Sequence, residues 1–312
     1  MLKDDILQCL YSEQSFISGE ALAERFSCSR MNINKAVSAL RDEGYKIEGI
    51  KNKGYILDKA DMLNEIALKS MFPDFDIIFL TQTDSTNKVL KSLEKKSERI
   101  TLCLSLVQNG GRGRLGRSFS SPSGGLYFSI LIPSSFISDP ALITAKAAVA
   151  VSTAIEKNTG LDCQIKWVND VYIKGKKCSG ILSEGILNME LQRLESVIVG
   201  IGINVNSSRS SYPEELWDII TTVYDESGKK TDRIVLLKDI ITFLLSSQND
   251  FISEYRKRCF ILGKKIKYVR NGKVFSALAK DVDEMAHLVV IAEDGKEEVL
   301  SSGEVSLNLK SI

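Results

Sequence analysis

The stretch Gly111-Arg112-Gly113-Arg114-Leu115-Gly116-Arg117 sets three arginines among three glycines, with no acid between them. Guanidinium groups offer fixed forks that match carboxylate and phosphate oxygens, and glycines let backbone approach a bound group closely. The spacing also satisfies G-x-G-x-x-G, but a dinucleotide turn opens a helix at once, so that the helix N-terminus meets the pyrophosphate. Here Ser118-Phe119-Ser120-Ser121-Pro122-Ser123-Gly124-Gly125 follows, which reads as loop and then strand. The chemistry expected is the handling of an anionic substrate, the like charges keeping the unliganded loop mobile until an anion orders it. A solvated basic loop is the plainer alternative.

Three further groups of residues suit the same chemistry. Lys166-Trp167-Val168-Asn169-Asp170 reads as a strand that ends in two polar side chains, followed by Lys174, Lys176, Lys177 and Gly180-Ile181-Leu182-Ser183-Glu184. A basic hairpin can fold a lysine back toward such an edge. Asp170 suits a ribose, a metal or a lysine, and Lys177 suits a phosphate whose charge rises in a transition state. A solvated hairpin beside a capping Asn-Asp would carry the same charges. Asp84-Ser85-Thr86-Asn87 reads as a helix N-cap with orphan backbone N–H groups, which serves structure as well as anion binding. Val199-Gly200-Ile201-Gly202-Ile203-Asn204-Val205 is an apolar strand with two glycines, either a ligand wall or a bulge.

The elements that must position these residues follow from periodicity. Strand Asp76 to Leu80, helix Ser85 to Glu98, strand Ile100 to Gln108 and strand Gly125 to Ile132 come first. A helix around Ala141 to Lys157, strand Cys163 to Val168, a hairpin around Tyr172 to Leu187, strand Glu195 to Val205 and a long helix Ile234 to Cys259 follow. Hairpins beside helix crossovers predict a mixed sheet. Leu262 to Ile312 reads as short strands with turns at Asn271-Gly272 and Asp294-Gly295, the composition of a small β-barrel.

Ahead of this region, Leu2, Ile6, Cys9 and Leu10 recur at helical spacing, and Ser18 can cap a second helix whose inner face is Leu22, Ala23 and Phe26. After a tight Ser27-Cys28-Ser29 connection, Ser29 caps a third helix that buries Ile33, Val37 and Leu40 and stops at Gly44. Its other face shows Arg30, Asn32, Asn34, Lys35, Ser38 and Arg41, donors suited to base edges and phosphates in a helix-turn-helix. Tyr45 to Leu57 reads as a hairpin whose glycine-flanked tip carries Lys51 and Lys53, like a wing on a phosphate backbone. From Arg30 to Leu57 six Lys and Arg oppose three Asp and Glu. A small helical domain used for dimerisation or lid packing is the alternative. A boundary is expected at residues 58 to 64, before a helical pattern from Met62 to Met71.

At 312 residues the chain is long for one core, so two or three domains are expected. The formal net charge is +1, from 41 Lys plus Arg against 40 Asp plus Glu, so any polyanion site must be local rather than a property of the whole surface. Acids at Asp4 and Asp5 stand where a signal peptide would be basic, and no apolar run approaches spanning length, which predicts a cytoplasmic chain without a membrane partner. Six cysteines without a C-x-x-C pair predict free, mostly buried thiols. The one histidine, His287, lies in the apolar run Ala286 to Ala292 and is read as structural, so no metal held by protein ligands alone is expected.

The four chemistry-bearing segments together resemble the biotin-protein ligase family, and with the N-terminal module the whole chain looks like its bifunctional bacterial form, ligase and biotin operon repressor. The G-R-G-R-x-G-R loop and the downstream K-W-x-N-D carry the resemblance. It implies an α+β multidomain fold. Residues 1–60 would be a winged helix-turn-helix, 61–261 a central mixed-sheet α/β domain of the class II aminoacyl-tRNA synthetase type, and 262–312 an SH3-like barrel. It also implies that biotin and MgATP give biotinyl-adenylate, whose acyl group passes to a lysine of a biotin carboxyl carrier protein, and that the adenylate-bound homodimer binds operator DNA.

By motif position Ser85, Thr86, Asn87, Gln108 and Gly111, Arg112, Gly113 and Arg114 would contact biotin or its adenylate, with Gly180 and Asn204 in the same pocket. Arg114 and Arg117 would meet the activated carboxylate and phosphate, and Lys177 would be the catalytic lysine that also contacts biotin. Asp170 would serve the adenylate and Phe119 would stack near adenine. Val168 stands where many relatives have Pro, and Phe119 where a tryptophan is often found. A transcription factor that only senses biotin and a lipoyl-type ligase on the same central fold are the competing readings.

Overall fold

The structure, a computed structural model, describes residues 2–307 apart from 43–44, 59–60, 62, 94–97, 138, 189–191, 248–249, 271–272, 302 and 304. The expected stop at Gly44, the start at Met62, residues 94–97 of the helix drawn to Glu98 and the turn at Asn271-Gly272 lie outside the described residues. Contacts divide the chain into two compact units, Met1–Pro73 and Asp74–Ile312. Among the described residues no helix is long and apolar enough to cross a membrane.

The first unit is built on α1 (Leu2–Ser12), α2 (Gly19–Arg25), α3 (Arg30–Asp42), the hairpin β1 (Ile47–Ile50) and β2 (Gly54–Leu57), and α4 (Glu65–Met71). Local hydrogen bonds start the helices where the sequence predicts. Ser18 Oγ accepts from Ala21 N at 3.0 Å, and Ser29 Oγ accepts from Asn32 N at 3.2 Å. The predicted stripe of Ile33, Val37 and Leu40 closes with Ile6, Leu10 and Leu22 and with the wing residues Ile47 and Leu57 into one buried cluster. Each such Leu or Ile stabilises by about 1.5–3 kcal/mol. Gly54, at φ +107, is required where the wing passes Ile17, because a Cβ there would lie 2.0 Å from the Ile17 carbonyl oxygen. This is a helix-turn-helix with a two-stranded wing. Helix α4, capped by Asn64 Oδ1 accepting from Ala67 N, groups with this unit.

The second unit holds a mixed seven-stranded sheet in the order β3-β4-β5-β9-β8-β7-β6. Its strands are β3 (Asp76–Thr83), β4 (Thr101–Gln108), β5 (Leu126–Pro133), β6 (Gln164–Lys166), β7 (Asp170–Ile173), β8 (Lys176–Asn188) and β9 (Arg193–Ile203). Only β3 and β4 run parallel, joined through α5 (Thr86–Lys91), and every other pairing is antiparallel. Helix α5 ends sooner than its apolar pattern suggests, at Ser92, whose hydroxyl bonds the Val89 carbonyl at 2.9 Å. Helix α6 (Ile143–Thr159) buries Ala147, Ala148, Val149, Ala150 and Val151 completely, so small side chains let it sit in the core, and Gly160 at φ +72 ends it.

The predicted single helix Ile234 to Cys259 is two. After the short α7 (Val223–Ser227), α8 (Arg233–Leu245) stops where Ser246 turns extended and bonds the Phe243 carbonyl at 2.7 Å, and α9 (Phe251–Arg258) begins anew. Lys146 Nζ takes the Ser246 carbonyl that a continuing helix would have used. The remaining strands, β10 (Lys265–Arg270), β11 (Lys273–Val282), β12 (Leu288–Ala292), β13 (Glu297–Leu300) and β14 (Val305–Leu307), form an antiparallel sheet in the order β13-β12-β11-β10-β14. It has the SH3-like strand content, with no β13–β14 pairing that would close it among the described residues. Gly295, at φ +82, makes the predicted Asp294-Gly295 turn. All six cysteines are free, five buried and Cys28 half-buried, and burial pushes the Cys103 thiol up to about 12.

Candidate active site

A cavity of about 460 Å³ opens in the second unit, between the start of α5, the arginine loop and the β7–β8 hairpin. One wall is Ser85, Thr86 and Asn87 with Gln108 from the end of β4. Arg112, Gly113, Arg114, Arg117 and Phe119 form another, and Asp170, Lys177, Gly180 and Asn204 a third. Gly111 is set behind the surface. A Cβ there would lie 2.4 Å from the Phe119 carbonyl oxygen, so its glycine identity serves the closure of the loop, in which Phe119 N donates to Gly111 O at 2.8 Å.

The first wall is tied together by side chains. Gln108 Oε1 accepts from Thr86 N at 2.9 Å and its Nε2 donates to Ser121 Oγ at 3.2 Å. Thr86 Oγ1 lies 2.6 Å from Ser129 Oγ, Ser129 Oγ donates to Asn87 Oδ1, and Asn87 Nδ2 donates to Glu184 Oε2 at 2.8 Å. The Asp84-Ser85-Thr86-Asn87 segment therefore does open a helix, but the Ser85 side chain makes no capping hydrogen bond and lines the cavity instead.

The arginine loop is a small hairpin with a turn at its tip. Arg112 bridges Ser118, Gly113 N donates to Arg117 O at 2.8 Å, and Leu115 is 79% exposed at φ 54. Arg114 Nη1 reaches Asn169 Oδ1 at 3.4 Å, and Asn169 Nδ2 donates to Ile181 O at 2.9 Å, which links the loop to the K-W-V-N-D motif. Trp167 is buried, and its Nε1 donates to Ala286 O at 2.9 Å.

Lys177 Nζ lies 2.7 Å from Asp170 Oδ1, with both side chains about a quarter exposed to the cavity. The β7–β8 hairpin folds the lysine back onto the motif, as the sequence suggested. Phe119 carries the Lys177 ammonium 5.9 Å from its ring centroid and lies against Gly180 and Gly202. A Cβ on Gly202 would be 2.5 Å from the Phe119 ring, and one on Gly200 would be 2.1 Å from Asn87 Oδ1. The β5–β9 register runs unbroken through both glycines. They are places of close approach, not a bulge. Burial, with the Asp170 charge adding to it, pushes the hydroxyl of the neighbouring Tyr172 up to about 12.

Sequence reasoning missed one wall. Tyr212, Leu216, Ile219 and Ile220 close the cavity from a segment to which the sequence assigns no element and no role, brought in by a parallel bridge between Lys177 and Ile220. Tyr212 O accepts from Trp217 Nε1 at 2.9 Å, and the Tyr212 hydroxyl sits 2.6 Å from Ser207 Oγ. The pairing Pro213…Trp217 was the available signal. His287 Nδ1 lies 3.1 Å from Asp283 Oδ2, and the His287 backbone N–H also bonds that carboxylate, closing a turn. Among the described residues no group of three His, Cys, Asp or Glu side chains could hold a metal ion.

In the first unit, Arg30, Asn32, Asn34, Lys35, Ser38 and Arg41 are exposed on α3, and Lys51 and Lys53 are exposed at the wing tip. Two of these already have work inside the unit. Arg41 Nε donates to Ile47 O at 2.9 Å, and the Tyr55 hydroxyl of the wing bonds Asn34 Oδ1.

Residues 79–204 match the model of the Biotin/lipoate A/B protein ligase family, and residues 3–56 match an HTH domain. The chain is 31% identical to the Bifunctional ligase/repressor BirA of Bacillus spizizenii, over 96% of this chain and 97% of that protein. It is 34% identical to the Bifunctional ligase/repressor BirA of Bacillus subtilis, over 81% and 80%. Among solved structures, the biotin protein ligase from Aquifex aeolicus in complex with biotin and ATP is similar at a TM-score of 0.62 and 32% identity, covering 75% of this chain and 98% of that one.

Proposed function

The chain belongs to the biotin-protein ligase family, in its bifunctional ligase/repressor group, and from that premise we propose how its residues divide the work. It is an ATP-dependent biotin-protein ligase and a transcriptional repressor. A carboxylate oxygen of biotin attacks the α-phosphorus of ATP and pyrophosphate leaves. The ε-amine of a carrier-protein lysine then attacks the acyl carbon of the biotinyl-adenylate and AMP leaves. In-line displacement asks the protein to orient and neutralise more than to react.

One observation carries the assignment of residues. Arg112, Arg114, Arg117, Lys166 and Lys177 face the cavity with Asp170 as the one acid among the described lining residues. Such a lining favours substrates that bring carboxylate and phosphate charge together. We assign the polar head of biotin to Ser85, Thr86, Asn87 and Gln108, with Gly180 and Asn204 beside it. The activated carboxylate and α-phosphate go to Arg114, Arg117 and Lys177, the adenylate to Asp170, and the adenine side to Phe119. Mg²⁺ supplies charge neutralisation on the phosphates when bound. A single cavity carboxylate suits an ion that keeps its waters and arrives on ATP.

For the repressor half, α3 would enter the major groove through Arg30, Asn32, Lys35 and Ser38 while Lys51 and Lys53 meet phosphates. Adenylate would favour a homodimer that presents two winged units to a palindromic operator. The carrier would be a biotin carboxyl carrier protein, and the work would be cytoplasmic. Biotin-dependent exchange of labelled pyrophosphate into ATP tests the first step. Exchange with biotin and none with lipoate is expected, and no exchange with biotin contradicts the reading.

A further inference from the structure

The Asn87 carboxamide sits between acceptors on one side and a hydroxyl on the other. Its Nδ2 donates to Glu184 Oε2 at 2.8 Å and reaches Leu182 O at 3.5 Å, while its Oδ1 accepts from Ser129 Oγ at 2.5 Å. A carboxylate only accepts, so the amide atom turned toward Glu184 is the nitrogen. That orientation commits the one Ser129 hydroxyl proton to Asn87 Oδ1. Ser129 Oγ then meets Thr86 Oγ1, 2.6 Å away, only as an acceptor, and Thr86 is the donor.

The consequence falls inside the cavity. The Thr86 hydroxyl has one proton and two acceptors in reach, Gln108 Oε1 at 3.2 Å and Ser129 Oγ at 2.6 Å. Gln108 Oε1 already accepts from Thr86 N at 2.9 Å, so the proton goes to the shorter contact with Ser129 and only lone pairs face Gln108 Oε1, both Thr86 and Gln108 lining the cavity. Two acceptor oxygens at that separation are complementary to an N–H donor. Glu184 is not itself among the lining residues, and its other oxygen pairs with Lys91.

We propose that Glu184 is a positioning residue that acts through Asn87 and Ser129 to hold the Thr86 hydroxyl as an acceptor, so that this end of the cavity selects a head group with N–H donors. The cyclic urea of biotin has such donors, and a lipoyl or octanoyl chain has none. The inference rests on the ligase reading above and adds what makes the cavity discriminate. A site built to hydrogen-bond a ligand rejects an analogue lacking the partner far more strongly than an apolar pocket does.

The test uses the full chain, with biotin affinity by calorimetry and adenylation kinetics as separate readouts. Glu184→Leu removes the acceptor and frees the amide to turn over, which sends the Thr86 proton toward the cavity. Its biotin Kd rises roughly 10- to 100-fold, while kcat at saturating biotin stays within about threefold of wild type. Glu184→Gln keeps an acceptor oxygen and Lys91→Met removes only the ion pair, so both stay within about threefold in Kd. Ser129→Ala breaks the same relay, and adding Glu184→Leu to it costs no further affinity, which independent structural damage would not reproduce.

A wild-type Kd for Glu184→Leu, a Glu184→Gln as weak as Glu184→Leu, or additive losses in the double variant overturns the proposal while leaving the ligase reading in place. Failure of the wild-type chain to bind biotin overturns both.

Discussion

Gly200 leaves the space that the Asn87 carboxamide fills: a Cβ on Gly200 would lie 2.1 Å from Asn87 Oδ1 and 2.9 Å from its Cγ. Two residues on, Gly202 gives the same clearance to Phe119. Residues two apart on a strand face one side of the sheet, so β9 is stripped of side chains where a polar group and an aromatic ring of the cavity must rest.

Alanine at either glycine should therefore injure the site more than the fold. Overpacking costs about 1–3 kcal/mol. Here the flexible partner, Asn87 or Phe119, absorbs the strain by moving. Gly200→Ala is expected to weaken biotin binding roughly tenfold or more, and Gly202→Ala to raise the KM for ATP more than that for biotin. Wild-type kinetics with a lowered Tm would contradict this.

Lys177 and Asp170, 2.7 Å apart, predict a split between two variants. Lys177→Ala removes a cation from beside the developing charge and should lower adenylate formation roughly 10²- to 10³-fold. Lys177→Arg should not restore it, because a planar guanidinium does not reproduce a compact ammonium. Rapid-quench measurement of biotinyl-adenylate distinguishes this from loss of transfer.

Glu226 gives a pH signature. Burial raises its carboxyl, but the hydrogen bond from Thr221 and the charges of Lys174 and Lys176 outweigh burial and hold it below its ordinary 4.5. A carboxyl depressed in the folded state adds stability that is present above its unfolded value and lost as pH falls through the folded one. Lys174 Nζ is 3.0 Å from Glu226 Oε2. Lys174→Met should lower Tm at neutral pH, and the gap from wild type should close as melts are taken to about pH 3. A constant gap would mean the pair contributes nothing through titration.

On the winged unit, exposed Lys51 and Lys53 predict phosphate contacts. Their alanine variants should weaken operator binding evenly across sequences and each reduce the log–log salt slope by about one. Arg41→Ala should lower stability as well as binding, because Arg41 Nε is already bonded to Ile47 O. Anisotropy titrations over a salt series read both effects.

What was legible in the sequence follows from how local each cause is. Ser18 and Ser29 cap helices through bonds three residues ahead, so type and spacing suffice. The arginine loop, Asp170 and Lys177 announce themselves because few other roles explain those residue types together. Ser246 could not be read as a break, since Phe251, Ile252 and Tyr255 keep burying a face beyond it. Whether Gly200 marked a bulge or a ligand wall was undecidable, because its occupant, Asn87, comes from a distant helix. The wall from Tyr212 to Ile220 depends on a bridge to Lys177 that no local pattern encodes. Glu184 serves Asn87 from 97 residues away, so its motif was visible and its partner was not.

We propose that the arginine loop with Lys177 forms a biotin-adenylating site that hands its product to a carrier lysine. The full chain incubated with labelled biotin, MgATP and a biotin carboxyl carrier domain tests it most directly. The wild-type chain is expected to place stoichiometric label on the carrier, and Lys177→Ala and Arg114→Ala each to lose it severely. An unlabelled carrier with the wild-type chain would contradict the function, and full labelling by both variants would contradict the site.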